Sequence, residues 1–234
     1  MSRSRPKRNY KTADVAVSGE SFAILLDRTQ ARIGPVALRL PTRALAEAIA
    51  EEWREQGKEL DPEHMQLTGL AGAALTRVST QRGPIIEHVL GYGRNELLCY
   101  RAAEPPELAA RQKAQWDALL EWVHARHGIR LVADAGISFI EQPVDAFVRM
   151  QEIVSEHDDF ELTALDAAVT LASSFVVALA LIERHIDAEE AFALSHLDEL
   201  FQAEKWGSDA EAESRRASTV AELKAVEHFV SLLD

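Results

Sequence analysis

The chain has 234 residues, with 38 acidic and 25 basic side chains and a formal net charge of −13. Its composition is 47% hydrophobic, enough apolar side chain for a sizeable core, which excludes a wholly disordered chain. Cys99 is the one cysteine; it cannot form an internal disulfide, so a secreted disulfide scaffold is excluded and packing must supply the stability.

The charge is unevenly divided. Residues 1–140 hold 19 basic and 17 acidic side chains, whereas residues 141–234 hold 6 and 21. Such an acidic body repels phosphate backbones and anionic lipid, so nucleic acid and membrane insertion are not expected, and a partner with a neutral or basic face fits better. Residues 1–13 read as a basic, flexible, solvated tail carrying Arg3, Arg5, Lys7, Arg8 and Lys11. No apolar run follows them, as a signal peptide would need. The longest uncharged apolar stretch, residues 167–182, is sixteen residues long, short of the roughly 20 that span a bilayer. It reads as a buried helix.

In chain order, the first forty residues alternate with period two. Val15 and Val17 precede Ser18-Gly19, then Phe22, Ile24 and Leu26 precede Asp27, and Val36, Leu38 and Leu40 follow Gly34-Pro35, which predicts a small antiparallel meander. Pro41-Thr42 opens a helix with Leu45, Ile49 and Trp53 at four-residue spacing and Gly57 at its end. From Pro62 the period becomes helical. Leu67, Leu70, Ala71, Ala74, Leu75 and Val78 form one stripe and Ile85, Ile86, Val89 and Leu90 a second.

Leu97 to Tyr100 reads as a short extended segment, and a longer amphipathic helix covers residues 107–127, ending at Gly128. Residues 131–140 suit one or two short strands. After Pro143 the chain is helical: Val144, Phe147, Val148 and Val154 line one helix, residues 162–182 form a buried central one, residues 188–203 another, and residues 209–233 the last. The fold class is therefore α+β, with a small antiparallel β-rich domain and its helix over residues 14–62, followed by a larger all-helical domain over residues 63–234.

Signatures of catalysis are mostly missing. There is no Gly-Lys-Ser/Thr phosphate loop, and Gly91-Tyr-Gly93 lacks the third glycine, the preceding strand and the distal acid of a dinucleotide site. Cys99 lies in an apolar run and reads as a small packed hydrophobe rather than a nucleophile. Glu121 and His124 share a helical face with His127 one turn on, but no second Glu-x-x-His accompanies them as a di-iron bundle requires. The run 156–161 lacks the glycine and closing glutamate of a calcium loop and reads as a helix-to-helix turn. No catalytic residue, metal ligand or cofactor is assigned; a thiol- or metal-dependent enzyme using a cleft of the helical domain is the alternative. Trp206 sits among acidic residues at a helix break marked by Gly207, which reads either as a core plug or as a protein-binding rim.

Several separated blocks are more specific than any of these features. They are Leu40-Pro-Thr-Arg-Ala-Leu-Ala, Ile49-Ala-Glu-Glu-Trp53-x-x-Gln56, Met65-Gln-Leu67-Thr68-x-Leu70, Glu96-Leu-Leu-Cys99-Tyr100-Arg101-Ala, Trp116-Asp-x-Leu-Leu-x-Trp122, and Leu197-Asp-Glu199-x-Phe201-Gln202-x-Glu-x-Trp206-Gly207-x-Asp209-x-Glu211-Ala212. In this order, over residues 15–233, the chain resembles the assembly chaperones of F-type ATP synthase, of the mitochondrial and alphaproteobacterial type, that bind the unassembled alpha subunit of the catalytic head. It departs from them at the early hairpin, where Asp27-Arg28 stands in place of an aspartate followed by glycine, and at Thr76, where they have an acid.

The resemblance implies a non-enzymatic chaperone that holds the free alpha subunit until it pairs with the beta subunit; the chain itself reads as a monomer of a bacterial cytoplasm or, if organellar, of the mitochondrial matrix. It implies partner contacts at Glu199, Gln202, Trp206, Asp209 and Glu211, and structural roles for Trp53, Met65, Leu67 and Thr68.

Overall fold

The computed structural model describes residues 5–136 and 138–234. Packing divides the chain into two units. One comprises residues up to Arg82 together with Asp159–Ala164 and His228–Asp234, and the other comprises Gly83–Asp158 and Leu165–Glu227. The boundary expected at residue 62 is displaced, because residues 63–82 and two late helical segments group with the first unit; hydrophobic periodicity does not record which layer a stripe faces.

The first unit is built on β2 (Ser21–Leu26), which pairs antiparallel with β1 (Ala13–Ser18), β3 (Thr29–Gln30) and β6 (Arg39–Leu40). A second antiparallel pair joins β4 (Arg32–Ile33) to β5 (Val36–Ala37). The β2–β3 hairpin turns on Asp27 and Arg28, both left-handed at φ 47° and 76°, the paired geometry that a two-residue hairpin demands. Arg28 therefore holds the turn without glycine at that position.

α1 (Arg43–Arg54) follows. Thr42 Oγ1 accepts from Leu45 N at 3.1 Å and also donates to the Leu232 carbonyl, capping the helix and tying it to the chain's end. α1 buries Leu45, Ile49 and Trp53 as their spacing predicts, but its C-cap is Glu55 rather than Gly57.

The solvated tail expected over residues 1–13 is corrected over its described part; residues 1–4 lie outside the described residues. The backbone at Lys7 forms an antiparallel β-bridge with that at Glu59, and the Arg8 guanidinium donates to the carbonyls of Tyr10, Lys11, Arg54 and Gln56. The Arg54 carbonyl is one of the orphan acceptors at the end of α1 and that of Gln56 follows just beyond it, so a cation there satisfies both hydrogen bonding and the helix dipole. Asp27 accepts from Lys11 N and Thr12 N at 2.9 Å, and these backbone bonds hold its carboxyl below the usual range. Local composition marks this segment as a tail because its helix-end partners lie 46 and 48 residues away.

α2 (Gln66–Ala73) continues as a wider π-helical turn over Ala74–Val78. Its N-terminus is capped by a distant side chain: the Glu52 carboxylate accepts from Leu67 N (2.7 Å), Thr68 N (2.8 Å) and Thr68 Oγ1 (2.7 Å). Gln56 Oε1 accepts from Asp61 N, shaping the approach. Trp53 lies between these residues, buried, with the Tyr10 ring 5.6 Å away and the Tyr10 hydroxyl donating to its carbonyl.

In the second unit α3 (Arg82–Arg94), α4 (Pro106–His127), α5 (Val144–Glu156), α6 (Asp159–Ala172), α7 (Phe175–Ile182), α8 (Ala188–Ser195), α9 (Leu197–Trp206) and α10 (Ala210–Ser231) follow, the first, fourth and last of them reaching into the first unit's residues. The unit is not all helical: β7 (Tyr100–Arg101) pairs in parallel with β8 (Asp134–Ala135), the strand found within residues 131–140, of which Ile137 lies outside the described residues. α4 ends as predicted at Gly128, left-handed at φ 74°. The expected helix over 162–182 is instead two, broken at Ser173, which is left-handed at φ 51°. Residues 188–203 likewise divide at His196.

Every residue of α7 is buried, so its first N–H groups need acceptors within the core. Ser174 Oγ accepts from Val177 N, while the fully buried Glu96 carboxylate accepts from Ser174 Oγ (2.5 Å), Phe175 N (2.9 Å) and Val176 N (3.1 Å). Gly93 packs close by: a Cβ there would stand 2.6 Å from Met150 Sδ, so the Met150 side chain would have to move.

α5 also departs from expectation. It buries Ala146, Met150, Ile153 and Val154, whereas Val144 and Val148 point outward and Phe147 is only half-buried.

Two outcomes follow. Trp53→Arg removes a large buried ring and adds a charge, and is expected to destabilise the protein by roughly 3 kcal/mol or more; an unchanged melting temperature would exclude the packing described. Burial pushes the Glu96 carboxyl up, against the opposing pull of its four hydrogen bonds. The folded protein thus holds this proton more tightly than the unfolded chain, and the resulting stability is full below the ordinary glutamate value, about 4.3, and is lost as pH rises through the folded one. The urea midpoint of the native protein relative to Glu96→Gln is therefore expected to fall from acid toward neutral pH, and a constant difference would refute the assignment.

Candidate functional site

The site is built on α9 and the start of α10. α9 is fixed to α4 by polar contacts from below: buried Gln112 donates from Nε2 to Asp198 (2.7 Å) and accepts from Ala102 N (2.7 Å). Arg101 donates to the Gln112 carbonyl and to Asp117, lying over the Trp116 ring, and Trp116 Nε1 donates to the Leu194 carbonyl at 2.9 Å. Arg111 grips Glu204 with two hydrogen bonds of 2.8 and 2.9 Å, the bidentate geometry that fixes direction as well as distance. Sequence reading gives no role to Arg101, Arg111, Gln112, Asp117, Asp198 or Glu204, although all but Arg111 and Gln112 lie in the quoted blocks; the Gln112–Asp198 and Arg111–Glu204 pairs are 86 and 93 residues apart.

The helical spacing of Glu199, Gln202 and Trp206 puts them on one face of α9, and all three are exposed. Trp206 is 79% exposed, which overturns the core-plug reading. An indole held in water on a helix end exposes a large apolar surface with no partner in the described residues. Glu199 Oε1 accepts from Arg216 Nε of α10 at 2.8 Å, and Arg216 also reaches Ser208 Oγ, so α9 and α10 are held together around Gly207. Glu199 also borders a pocket of about 300 Å³ with Trp116, His196 and Asp198. Burial pulls the His196 imidazole below its ordinary pKa, keeping it neutral against the Phe192 ring it stacks on.

Asp209 and Glu211 are placed differently. Asp209 is the N-cap of α10: its carboxylate accepts from Ala212 N at 2.7 Å and its carbonyl from Glu213 N. Glu211 pairs with Arg215 one turn on. Both carboxylates are thus engaged within α10, Asp209 in the backbone and Glu211 in an exposed ion pair. Trp53, Met65, Leu67 and Thr68 are all buried in the first unit.

Neither Cys99 nor His124 is placed for thiol or metal chemistry. Cys99 is fully buried and its thiol is pushed up to about 12, chiefly by burial. His124 Nε2 accepts from the Arg130 guanidinium at 2.8 Å, a cation where a metal would compete.

Comparison with known proteins bears on the family and the fold. The model of the ATP12 chaperone protein family matches residues 7–124. The crystal structure of Atp12 from Paracoccus denitrificans superposes with a TM-score of 0.94 at 37% identity, covering 98% of this chain and 99% of that one. A protein of Agrobacterium tumefaciens described as a candidate chaperone gives 0.93 at 34% identity, covering 98% and 87%. The mitochondrial protein atp12 of Schizosaccharomyces pombe is 29% identical over 105 residues, 44% of this chain and 36% of that protein, so the match spans little more than a third of the yeast relative. The class defined by fold and relatives is an α+β chaperone. The chain belongs to the ATP12 chaperone family.

Among the described residues no helix is long and apolar enough to cross a membrane. Removing the Asp209 cap by Asp209→Ala is expected to cost about 1 kcal/mol, while Trp206→Ala, which truncates an exposed side chain, should leave stability within about 0.5 kcal/mol. Chemical denaturation of the two variants checks both.

Proposed function

We propose that this protein is an assembly chaperone for the catalytic head of F-type ATP synthase: it binds the free alpha subunit and keeps it from aggregating until the beta subunit takes its place. Membership of the ATP12 chaperone family supports the chaperone role. The observation that carries the binding reading is the exposed Trp206 on a helix otherwise clamped in place, beside Glu199 and Gln202. Tryptophan anchors dominate protein interfaces, and neighbouring carboxylates select a partner of neutral or basic face.

The physical logic is mass action. A subunit made for a large permanent interface exposes an apolar patch when alone, and such patches aggregate. A binder covering the patch needs no nucleotide, because the incoming subunit supplies competing contacts that release it. The chaperone acts as a monomer and works where alpha subunits await assembly, in a bacterial cytoplasm or a mitochondrial matrix.

The test dilutes unfolded alpha subunit into buffer with and without this protein, following light scattering and size exclusion. The expected result is suppressed scattering and a one-to-one complex that dissolves when beta subunit is added, with Trp206→Ala weakening the complex at least tenfold at unchanged melting temperature. Unchanged scattering with no complex would overturn the proposal.

A further inference from the structure

One edge of the first unit's sheet is open. β2 takes β1 along one side and β3 and β6 along the other, so β1 ends the sheet. The groups it turns outward follow from the register. The Thr12 carbonyl accepts from Asp27 N, and the hairpin closes on the Ser18–Ser21 pair; because antiparallel pairing alternates, residues 12, 14, 16 and 18 face β2 and residues 13, 15 and 17 face away. The Ala13 carbonyl agrees, since it accepts from Arg54 Nε of α1 at 2.8 Å. The N–H and C=O groups of Val15 and Val17 have no partner among the described residues.

An open edge pairs readily with another chain, and proteins guard it with proline, lysine, a bulge or a very short strand. β1 has none of these guards. It is six residues long, contains neither proline nor lysine, and pairs with β2 residue for residue. Arg54 closes it at Ala13 alone. Beyond that point the outward backbone is accompanied by Val15, half-buried, and Val17, 65% exposed, which share one face of the strand, while Asp14, Ala16 and Ser18 share the other.

These groups select the kind of occupant. N–H and C=O pairs two residues apart are matched by the backbone of one extended segment, the chemistry of strand addition. Charge narrows the choice. Along β1 and at its ends stand Lys11, Asp14, Glu20, Asp27 and Arg28, and Arg54 reaches over from α1 already paired with Glu47 and Glu51. Asp27 is engaged by the Lys11 and Thr12 backbone, whereas Asp14 and Glu20 form no ion pair. A second copy fits poorly. Two β1 edges match all their open groups when Val15 faces Val17 of the other copy, which sets Asp14 opposite Ser18 and gives it no cation. That pairing supplies about four hydrogen bonds, against roughly ten in a standard interface, between chains that each carry a net charge of −13 and repel.

We infer that the β1 edge is a strand-addition site, and that its occupant is an extended segment of the unassembled alpha subunit with apolar residues opposite Val15 and Val17 and a lysine or arginine opposite Asp14. This rests on the proposed function and adds a contact that reads backbone, apart from the α9 residues. Amide hydrogen exchange is measured on the native chain alone at two concentrations and in complex with the alpha subunit. Val15 and Val17 are expected to exchange quickly in the isolated chain and at least tenfold more slowly in the complex, with Asp14 and Ala16, bonded to β2, slow in both. Val17→Pro removes an outward N–H without touching a bond to β2 and is expected to weaken the complex tenfold or more, as is Asp14→Lys, whereas Val17→Thr keeps the N–H and binds as the native chain does. Native affinity in a folded Val17→Pro or Asp14→Lys overturns the inference; where Val17→Pro lowers the melting temperature, exchange on the native chain decides. Unchanged exchange at Val15 and Val17 in a complex that forms overturns this inference and leaves the proposed function standing, whereas no complex with the native chain overturns both. Protection already present in the isolated chain assigns the edge to the chain itself, protection that grows with concentration assigns it to a second copy, and either result overturns the inference.

Discussion

The second unit depends on a carboxylate with no access to water. α7 is apolar on every side and buried along its whole length, and a helix in that position cannot turn its first N–H groups to solvent. Glu96 reaches them from 78 to 80 residues away. The hydrogen bonds and the positive end of the helix compensate the carboxyl for lost hydration, and the carboxyl in turn fixes where α7 begins, just after the left-handed Ser173. α4 and α8 pack on α7, so the frame that carries α9 rests on this cap. The first unit uses the same device on a smaller scale, with half-buried Glu52 capping α2.

These caps give a physical meaning to the family blocks. Glu52, Trp53 and Gln56 are respectively a cap for α2, a buried ring and a brace for the chain entering it; Glu96 and Arg101 are a cap for α7 and a tie to α4. Each block is short, yet each acts on a segment elsewhere. The C-terminal block mixes two kinds of residue. Asp209 shapes the α9–α10 turn, while Glu199, Gln202 and Trp206 are displayed by it.

In the proposed role, rigidity and exposure belong together. α9 is held by the Gln112–Asp198, Arg111–Glu204 and Glu199–Arg216 contacts, so its exposed side chains need little ordering when a partner arrives. A chaperone that must later yield its client gains from modest contact area at fixed geometry, because release then requires only that the permanent interface be better. The acidic surface of the second unit adds selectivity without adhesion between copies.

By itself the sequence determined the α+β class, the meander, the course of α1 and α4 with its glycine end, and, through the order of its blocks, the family. These are local or linear properties: periodicity needs only neighbours three or four residues apart, and block order needs only the chain. Tertiary structure alone decided that the basic segment before β1 clasps α1, that residues 162–182 break at Ser173, that Trp206 stands in water, and that Val144 and Val148 turn away from the core. Each depends on a partner dozens of residues distant or on which of two apolar faces finds a neighbour, and a hydrophobic stripe looks the same in sequence whether its own chain covers it or leaves it exposed.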